Sequence, residues 1–336
     1  MVKHSRVLPK SSRENGPSPP SMSATPGTGK YRVIVADPID AAAVKLLSGE
    51  FEVVDVSKTP EKLTEVMPEA SAILVRSRTK VNKALIDQGQ KLKVIGRAGV
   101  GVDNVDLVAA GQRGIVVVNA PAAASTSVAE LTVGLLVAVA RNFSNHVPSM
   151  KQGKWTKGAQ GLELLGRTVG FVGYGRIARE VAIRLKGFGM KVQAYDPFLT
   201  STPDGTPLVS LDELLKTSDV LSLHANATEA NRHMINREAL GKMKKGAMIV
   251  NVARGALIDE QALLDALDAG QLSGVALDVF EEEPPKNPKL LAHPLIVATP
   301  HIGALTREAQ ERAGLVVARD IIKVLKGEKP EFPVRA

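Results

Sequence analysis

From Tyr31 onward, short apolar runs alternate with longer stretches whose apolar positions recur at helical spacing. "YRVIVAD" predicts a strand, "AAAVKLL" a helix and "FEVVDV" a second strand; "AILVRS", "KVIGRAG" and "GIVVVNAP" repeat the strand theme. Such alternation implies right-handed crossovers and a parallel sheet. "STSVAELTVGLLVAVAR" then predicts a helix apolar on nearly every face, buried or at an interface, with Ser127 and Glu130 at the spacing of a capping box. A second series follows: "RTVGFVGYG", "MKVQAYD", "DVLSLHA", "GAMIVNVA", "SGVALDVF" and "PLIVATP". "TREAQERAGLVVARDIIKVLKG" closes the chain as a long amphipathic helix. The pattern predicts two doubly wound parallel sheets, α/β in class, facing each other across a cleft.

Composition narrows this picture. The 336 residues are 44% apolar and only 3% aromatic, so Ala, Val, Leu and Gly fill the interior. There is no cysteine, which excludes disulfides, thiol nucleophiles and cysteine metal sites. No metal is expected, and a cytoplasmic location is. The formal charge of +8 raises the question of a polyanion partner. Half of it sits in residues 1–30, where Lys3, Arg6, Lys10, Arg13 and Lys30 face only Glu14. The body carries no basic stripe interleaved with aromatics, so a small anion fits the charge better than nucleic acid. "SSRENGPSPPSMSATPGTGK" has the composition of a disordered tail, residues 1–29. The apolar helix around Leu131 to Ala140 is about half the length needed to span a bilayer, so no membrane partner is expected.

"VGFVGYGRIAREVA" places Gly173 and Gly175, then Ala178, directly after a strand and at the opening of a helix. Gly173 permits a tight turn, Gly175 lets a pyrophosphate approach the backbone, and Ala178 lets helix and strand pack closely. The next strand ends on Asp196, close to the ~20-residue distance of an acid that holds an adenosine ribose. An acid there repels a 2′-phosphate, which favours NAD over NADP. So many residues precede this turn that the chain must begin in the other domain.

Ligands of open α/β sheets sit beyond the carboxyl ends of the strands. Three charged groups fall at such ends: Arg254 after "MIVNVA", Glu283 in "DVFEEEP" and His301 after "LIVATP". Together they meet the needs of hydride transfer to a 2-keto acid. Arg254 can hold a carboxylate by two parallel hydrogen bonds and share in polarising the carbonyl. His301 titrates near neutral pH and can move a proton, and Glu283 would raise its pKa. Glu281 and Glu282 read as solvated, and the other histidines, His4, His146, His224, His233 and His293, lack this setting.

"GYGRIA", "NVARG", "LDVFEEEPP" and "TPHIGA", in this order, resemble the D-isomer-specific 2-hydroxyacid dehydrogenase family over about residues 31–330. "VRSRTKV", "GRAGVGVDNVDL", "SVAEL", "GKW" and "REAQ" most resemble its phosphoglycerate dehydrogenases. The resemblance implies that Arg254, Glu283 and His301 are catalytic. It implies NAD contacts at Val100, Arg176, Ile177, Asp196, Val252, Ala253, Arg254, Asp278, His301, Gly303 and Ala304, beside the glycine turn. It places the substrate carboxylate on the Val100 and Gly101 backbone and a phosphate on Arg76 and Arg97. Arg76, Arg78 and Arg97 favour a phosphorylated acid; hydroxypyruvate, glyoxylate or another 2-keto acid is the alternative, and a NAD-sensing corepressor the alternative of another class. A homodimer or homotetramer is implied, with Trp155 near the partner subunit. The expected division is a flavodoxin-like substrate domain of residues 30–121 and 306–336, and a Rossmann NAD-binding domain of residues 122–305. Three positions depart from the family pattern: Ala124 replaces an asparagine, Leu305 a serine, and His224-Ala225-Asn226 an "HxP".

Overall fold

The structure, a computed structural model, describes residues 31–334 apart from 156 and 159. The expected disordered tail lies outside the described residues. The first half runs β1 (Arg32–Val35), α1 (Ala41–Ser48), β2 (Glu52–Asp55), α2 (Leu63–Val66), β3 (Ala72–Val75), α3 (Lys83–Gln88), β4 (Val94–Arg97), α4 (Leu107–Gln112) and β5 (Val116–Asn119). Two helices, α5 (Ser125–Ala140) and α6 (Phe143–Lys151), lead into the second. It runs β6 (Thr168–Val172), α7 (Arg176–Gly187), β7 (Lys191–Tyr195), α8 (Leu211–Thr217), β8 (Val220–Leu223), α9 (Arg237–Lys242), β9 (Ala247–Asn251), α10 (Glu260–Asp268), β10 (Leu272–Leu277), α11 (Pro288–Ala292) and β11 (Ile296–Ala298). Then come α12 (Arg307–Leu325) and β12 (Pro333–Val334).

Two six-stranded sheets result. The first has the order β12-β5-β4-β3-β1-β2, parallel except for the antiparallel β12. Its parallel part has the flavodoxin-like order 2-1-3-4-5. The second has the order β11-β10-β9-β8-β6-β7 and is parallel throughout. The strand that flanks β7 in the usual dinucleotide fold is reduced to one parallel bridge, Ala194 to Leu208.

Each sheet is buried on both faces. Along β3, Ile73 and Val75 enter one core while Ala72 and Leu74 enter another; along β9, Ala247 and Ile249 part from Met248 and Val250 in the same way. Alternate residues of a strand point to opposite faces, so a central parallel strand reads as a continuous apolar run. The final helix does return to the first sheet: Val317 and Ile321 of α12 share a core with Val33, Val35 and Val94.

Two local expectations fail. Ser127 does not cap α5, which begins at Ser125 with no side-chain cap. Ser127 lies inside the helix, and its Oγ pairs with Thr306 Oγ1 at 2.7 Å. Strand β12 has no counterpart in the sequence reading. It forms because the buried Asp320 accepts the backbone N–H of Glu331 and of Phe332, both at 2.8 Å, and so folds the chain back onto β5. No single helix among the described residues is long and apolar enough to cross a membrane.

Candidate active site

His301 lies three residues past β11 with a left-handed backbone, φ 53°. Asp278, just past β10 and 1% exposed, holds that turn. Its carbonyl accepts from the His301 N–H at 2.9 Å. Its carboxylate accepts from Thr299 Oγ1 at 2.6 Å, Ile302 N at 2.8 Å and Gly303 N at 2.9 Å. The ring is thereby fixed with Nδ1 2.7 Å from Glu283 Oε2. That bond raises the His301 pKa above its ordinary value, against the effect of burial. Burial pushes the Glu283 carboxyl up, but the hydrogen bond and charge of His301 hold it below its ordinary value.

Arg254 follows β9. The buried Asn251 fixes the turn, accepting from Ala253 N at 3.0 Å and donating to the Arg254 carbonyl at 2.9 Å. The guanidinium donates from Nη1 to the Ala253 carbonyl at 2.7 Å and from Nη2 to Asp103 Oδ2 at 3.0 Å. Arg254, Glu283 and His301 line one cleft of about 770 Å³ together with Arg97 and Asp103. A second space of about 350 Å³ shares Arg97, Glu283 and His301 and adds Arg76. Predicted groups from both sheets therefore meet around one imidazole.

The arginines of the first sheet differ in availability. Among the described residues the Arg97 side chain makes no hydrogen bond or ion pair, and its buried Nε has no partner. Burial lowers its pKa, Arg254 and Arg76 add to that, and Asp103 opposes it. The Arg76 guanidinium has no acid in contact among the described residues and donates to Gln310 Oε1 at 3.2 Å. Arg78 corrects the expectation: it is spent on Asp37 Oδ1 at 3.2 Å and on the Ala36 and Ser57 carbonyls at 2.8 Å. It serves the fold, not an anion. Glu281 is a second correction. It is bonded to His233 Nε2 at 2.9 Å, Arg232 at 3.3 Å and the Glu260 N–H, so it is not solvated, and His233 does have a carboxylate partner.

The nucleotide turn has the expected form. Gly173 adopts φ 82°, and a Cβ there would lie 2.9 Å from Ala225 N. Gly175 begins α7 without a side-chain cap, and the space beside its Cα is open. A helix N-terminus at Arg176 and Ile177 without a side-chain cap, beside the open space at Gly175, suits a pyrophosphate. Asp196 accepts from Tyr174 N at 2.9 Å and Phe198 N at 3.0 Å, which sets it at the turn's flank. These residues fit a dinucleotide. Val252 and Ala253 are buried beneath Arg254, and Val100, though it comes from the first half, packs on the core of the second. Gly101 abuts Arg254. Gly303 is buried against Asp278, and Ala304 lines the smaller space. Ala124 and Leu305, two of the departures from the family pattern, line that same space. His224 turns instead to Ser222, at 2.8 Å.

Three residues that hold side chains and turns of the site escaped the sequence reading. Asp103 pairs with Arg254. Asp37, fully buried, accepts from Arg76 N at 2.7 Å and Thr79 Oγ1 at 2.6 Å. Asn104 donates to the Arg76 and Thr79 carbonyls at 2.8 and 2.7 Å. The strand-end rule that singled out Arg254 would have found Asp37, at the end of "YRVIVAD".

Comparison with known proteins agrees with this geometry. Residues 133–303 match the family described as D-isomer specific 2-hydroxyacid dehydrogenase, NAD binding domain. The chain is 49% identical over 307 residues to D-3-phosphoglycerate dehydrogenase of Methanocaldococcus jannaschii, covering 89% of this chain and 58% of that one. It is 47% identical over 302 residues to hydroxypyruvate reductase of Thermotoga maritima, covering 88% and 99%. The crystal structure of TT0316 protein from Thermus thermophilus superposes with a TM-score of 0.83 at 38% identity, covering 90% of this chain and 99% of that one. With its glycine turn, its two sheets and its matched NAD-binding region, the chain belongs to the D-isomer specific 2-hydroxyacid dehydrogenase family.

Proposed function

We propose that the protein is a NAD-dependent dehydrogenase of D-2-hydroxy acids, with D-3-phosphoglycerate, oxidised to 3-phosphohydroxypyruvate, as its substrate. The observation that carries the choice is Arg97, a cation inside the cleft with no anionic contact, near Arg76 and beside His301. A half-buried guanidinium with no counter-ion in contact is costly, and a phosphate would neutralise it.

The substrate carboxylate lies on Arg254 and the Val100–Gly101 backbone, its phosphate on Arg76 and Arg97. The Gly173–Ile177 turn, Asp196, Val252, Ala253 and the Asp278-braced loop would hold NAD, which when bound would supply the hydride acceptor or donor. With Nδ1 committed to Glu283, His301 has Nε2 left for the substrate. In oxidation Nε2 takes the hydroxyl proton, and Glu283 stabilises the imidazolium that forms. In reduction the same nitrogen returns the proton to the new alkoxide while Arg254 polarises the carbonyl. Exposed Phe143, Val147 and Met150 on α6, with Trp155 beyond it, support the homodimer reading.

A second reading, hydroxypyruvate or glyoxylate reduction, has two supports: Arg78 is unavailable to a phosphate, and the Thermotoga maritima relative is matched over 99% of its length. Initial rates of NAD reduction with 3-phosphoglycerate, D-glycerate and D-lactate decide between them. A clear preference for the phosphorylated acid is expected; equal rates would remove it as the substrate. Turnover above roughly 1 per second also removes the corepressor reading. Asp196→Ala should relax the preference against NADP, measured as the ratio of kcat/KM for the two cofactors; an unaltered ratio would deny Asp196 its ribose role.

A further inference from the structure

Asp103 and Arg254 stand 151 positions apart, one following a strand of each sheet, and meet at 3.0 Å across the cleft. Gly101 makes room for them: a Cβ there would lie 2.3 Å from Arg254 Nη2 and 2.6 Å from Asp103 Oδ2. The two partners differ in access to water. The Asp103 side chain is 74% exposed and that of Arg254 30%. Asp103 is also the acid that most offsets the burial of Arg97. It is the carboxylate in contact with the Arg254 guanidinium.

A carboxylate binds a guanidinium best through two parallel N–H bonds. On Arg254, Nη1 serves the Ala253 carbonyl and Nη2 serves Asp103, and each of these nitrogens carries a second hydrogen. A carboxylate that forks on this guanidinium engages Nη2 beside the negative charge of Asp103, which opposes its approach. We propose that Asp103 is the resident counter-ion of Arg254, displaced by the substrate carboxylate, so that its charge sets how tightly 2-keto and 2-hydroxy acids bind. This inference rests on the reading of Arg254 as the carboxylate receptor. The physical logic lies in the difference in exposure. Guanidiniums taken out of water need an anion when no substrate is present. An acid on the exposed rim supplies one, and a well-solvated pair is readily broken. Asp103 acts through Arg254 and takes no proton or hydride; it is a positioning residue.

The test is Asp103→Asn in the full chain, assayed with NADH and hydroxypyruvate. The KM is expected to fall by about two- to fivefold, the range of an exposed ion pair, with kcat changing by less than KM. Oxamate, a non-reducible 2-keto acid mimic, should inhibit at correspondingly lower concentration. The variant should melt earlier than the wild type in plain buffer and recover with oxamate. Asp103→Glu, which keeps the charge, should restore the wild-type KM. A higher KM would mean that Asp103 aligns the guanidinium for substrate, and an unchanged KM that the pair has no bearing on binding; either overturns the proposal. Asp103→Ser gives the same comparison if the asparagine variant does not fold, and loss of both soluble proteins would assign Asp103 to the fold and overturn it. A wild-type protein inactive on 3-phosphoglycerate, hydroxypyruvate and glyoxylate alike breaks the active-site reading instead, and oxamate affinity of wild type and variant then decides the Asp103 question alone.

Discussion

At the carboxyl edge of the second sheet, His301 and Glu283 have each other, and Asp278 has the loop that carries them. At the corresponding edge of the first sheet, Asp37 has taken Arg78, but Arg97 has no counter-charge in contact and Arg76 has only an amide. The two edges share an architecture and a strand-end geometry. The His301–Glu283 pair is satisfied within its own edge; on the proposed reading the first-sheet guanidiniums would be satisfied by the substrate's phosphate. A group that moves protons must be oriented in advance, whereas a group that selects a substrate gains from being unsatisfied until that substrate arrives.

The contrast can be broken most forcefully on the satisfied side. His301→Ala should lower turnover by roughly 10²–10⁴-fold, the range for a lost general acid–base group, while NAD binding followed by titration persists. Unchanged turnover would place the proton donor elsewhere. Arg254→Lys keeps the charge but not the planar fork, and kcat/KM should fall by about ten- to hundredfold, the equivalent of one charge-assisted hydrogen bond.

The waiting side is sharpened by paired variants. Arg97→Met should raise the KM for an anionic substrate by about tenfold, near the lower end for a bond to a charged group, without lowering Tm. Arg78→Met should do the reverse. It leaves the buried Asp37 short of a donor, costs about 1–3 kcal/mol of stability, and should leave KM nearly in place. If both variants act alike on KM and Tm, the distinction between spent and waiting arginines fails.

The smallest effect is on pH. Glu283 holds the His301 pKa above its ordinary value, and the proposed mechanism needs the protonated ring for reduction. The rate of keto-acid reduction should therefore persist to higher pH than an ordinary imidazole would allow and decline only above that. In Glu283→Gln the decline should move to lower pH, and oxidation, which needs the neutral ring, should hold on further toward acid. A profile of kcat/KM against pH in both directions measures this; an unmoved limb would uncouple the pair.

Much of this was legible in the chain itself. The alternation of apolar runs gives both sheets because central parallel strands are buried on two faces, and each such run becomes a strand. Arg254, Glu283 and His301 were legible because charge at the end of an apolar strand is conspicuous. Asp103 was not, since an acid in "GVGVDN" looks like any solvated loop residue until its partner, distant in sequence, is brought beside it. Arg78 and Arg76 share one motif and one charge; only the folded position of Asp37 tells them apart. Strand β12 is too short for any periodicity and depends on the tertiary bonds of Asp320.

The left-handed backbone of His301 bears on any attempt to make this protein more heat-resistant. A side chain in that conformation costs about 1–2 kcal/mol that glycine would not incur. Replacing His301 with glycine would relieve that cost but give up the bond to Glu283 and loosen the unfolded chain, so the backbone strain alone offers no route to a hardier protein. The imidazole holds its strained place through the same carboxylate that tunes it.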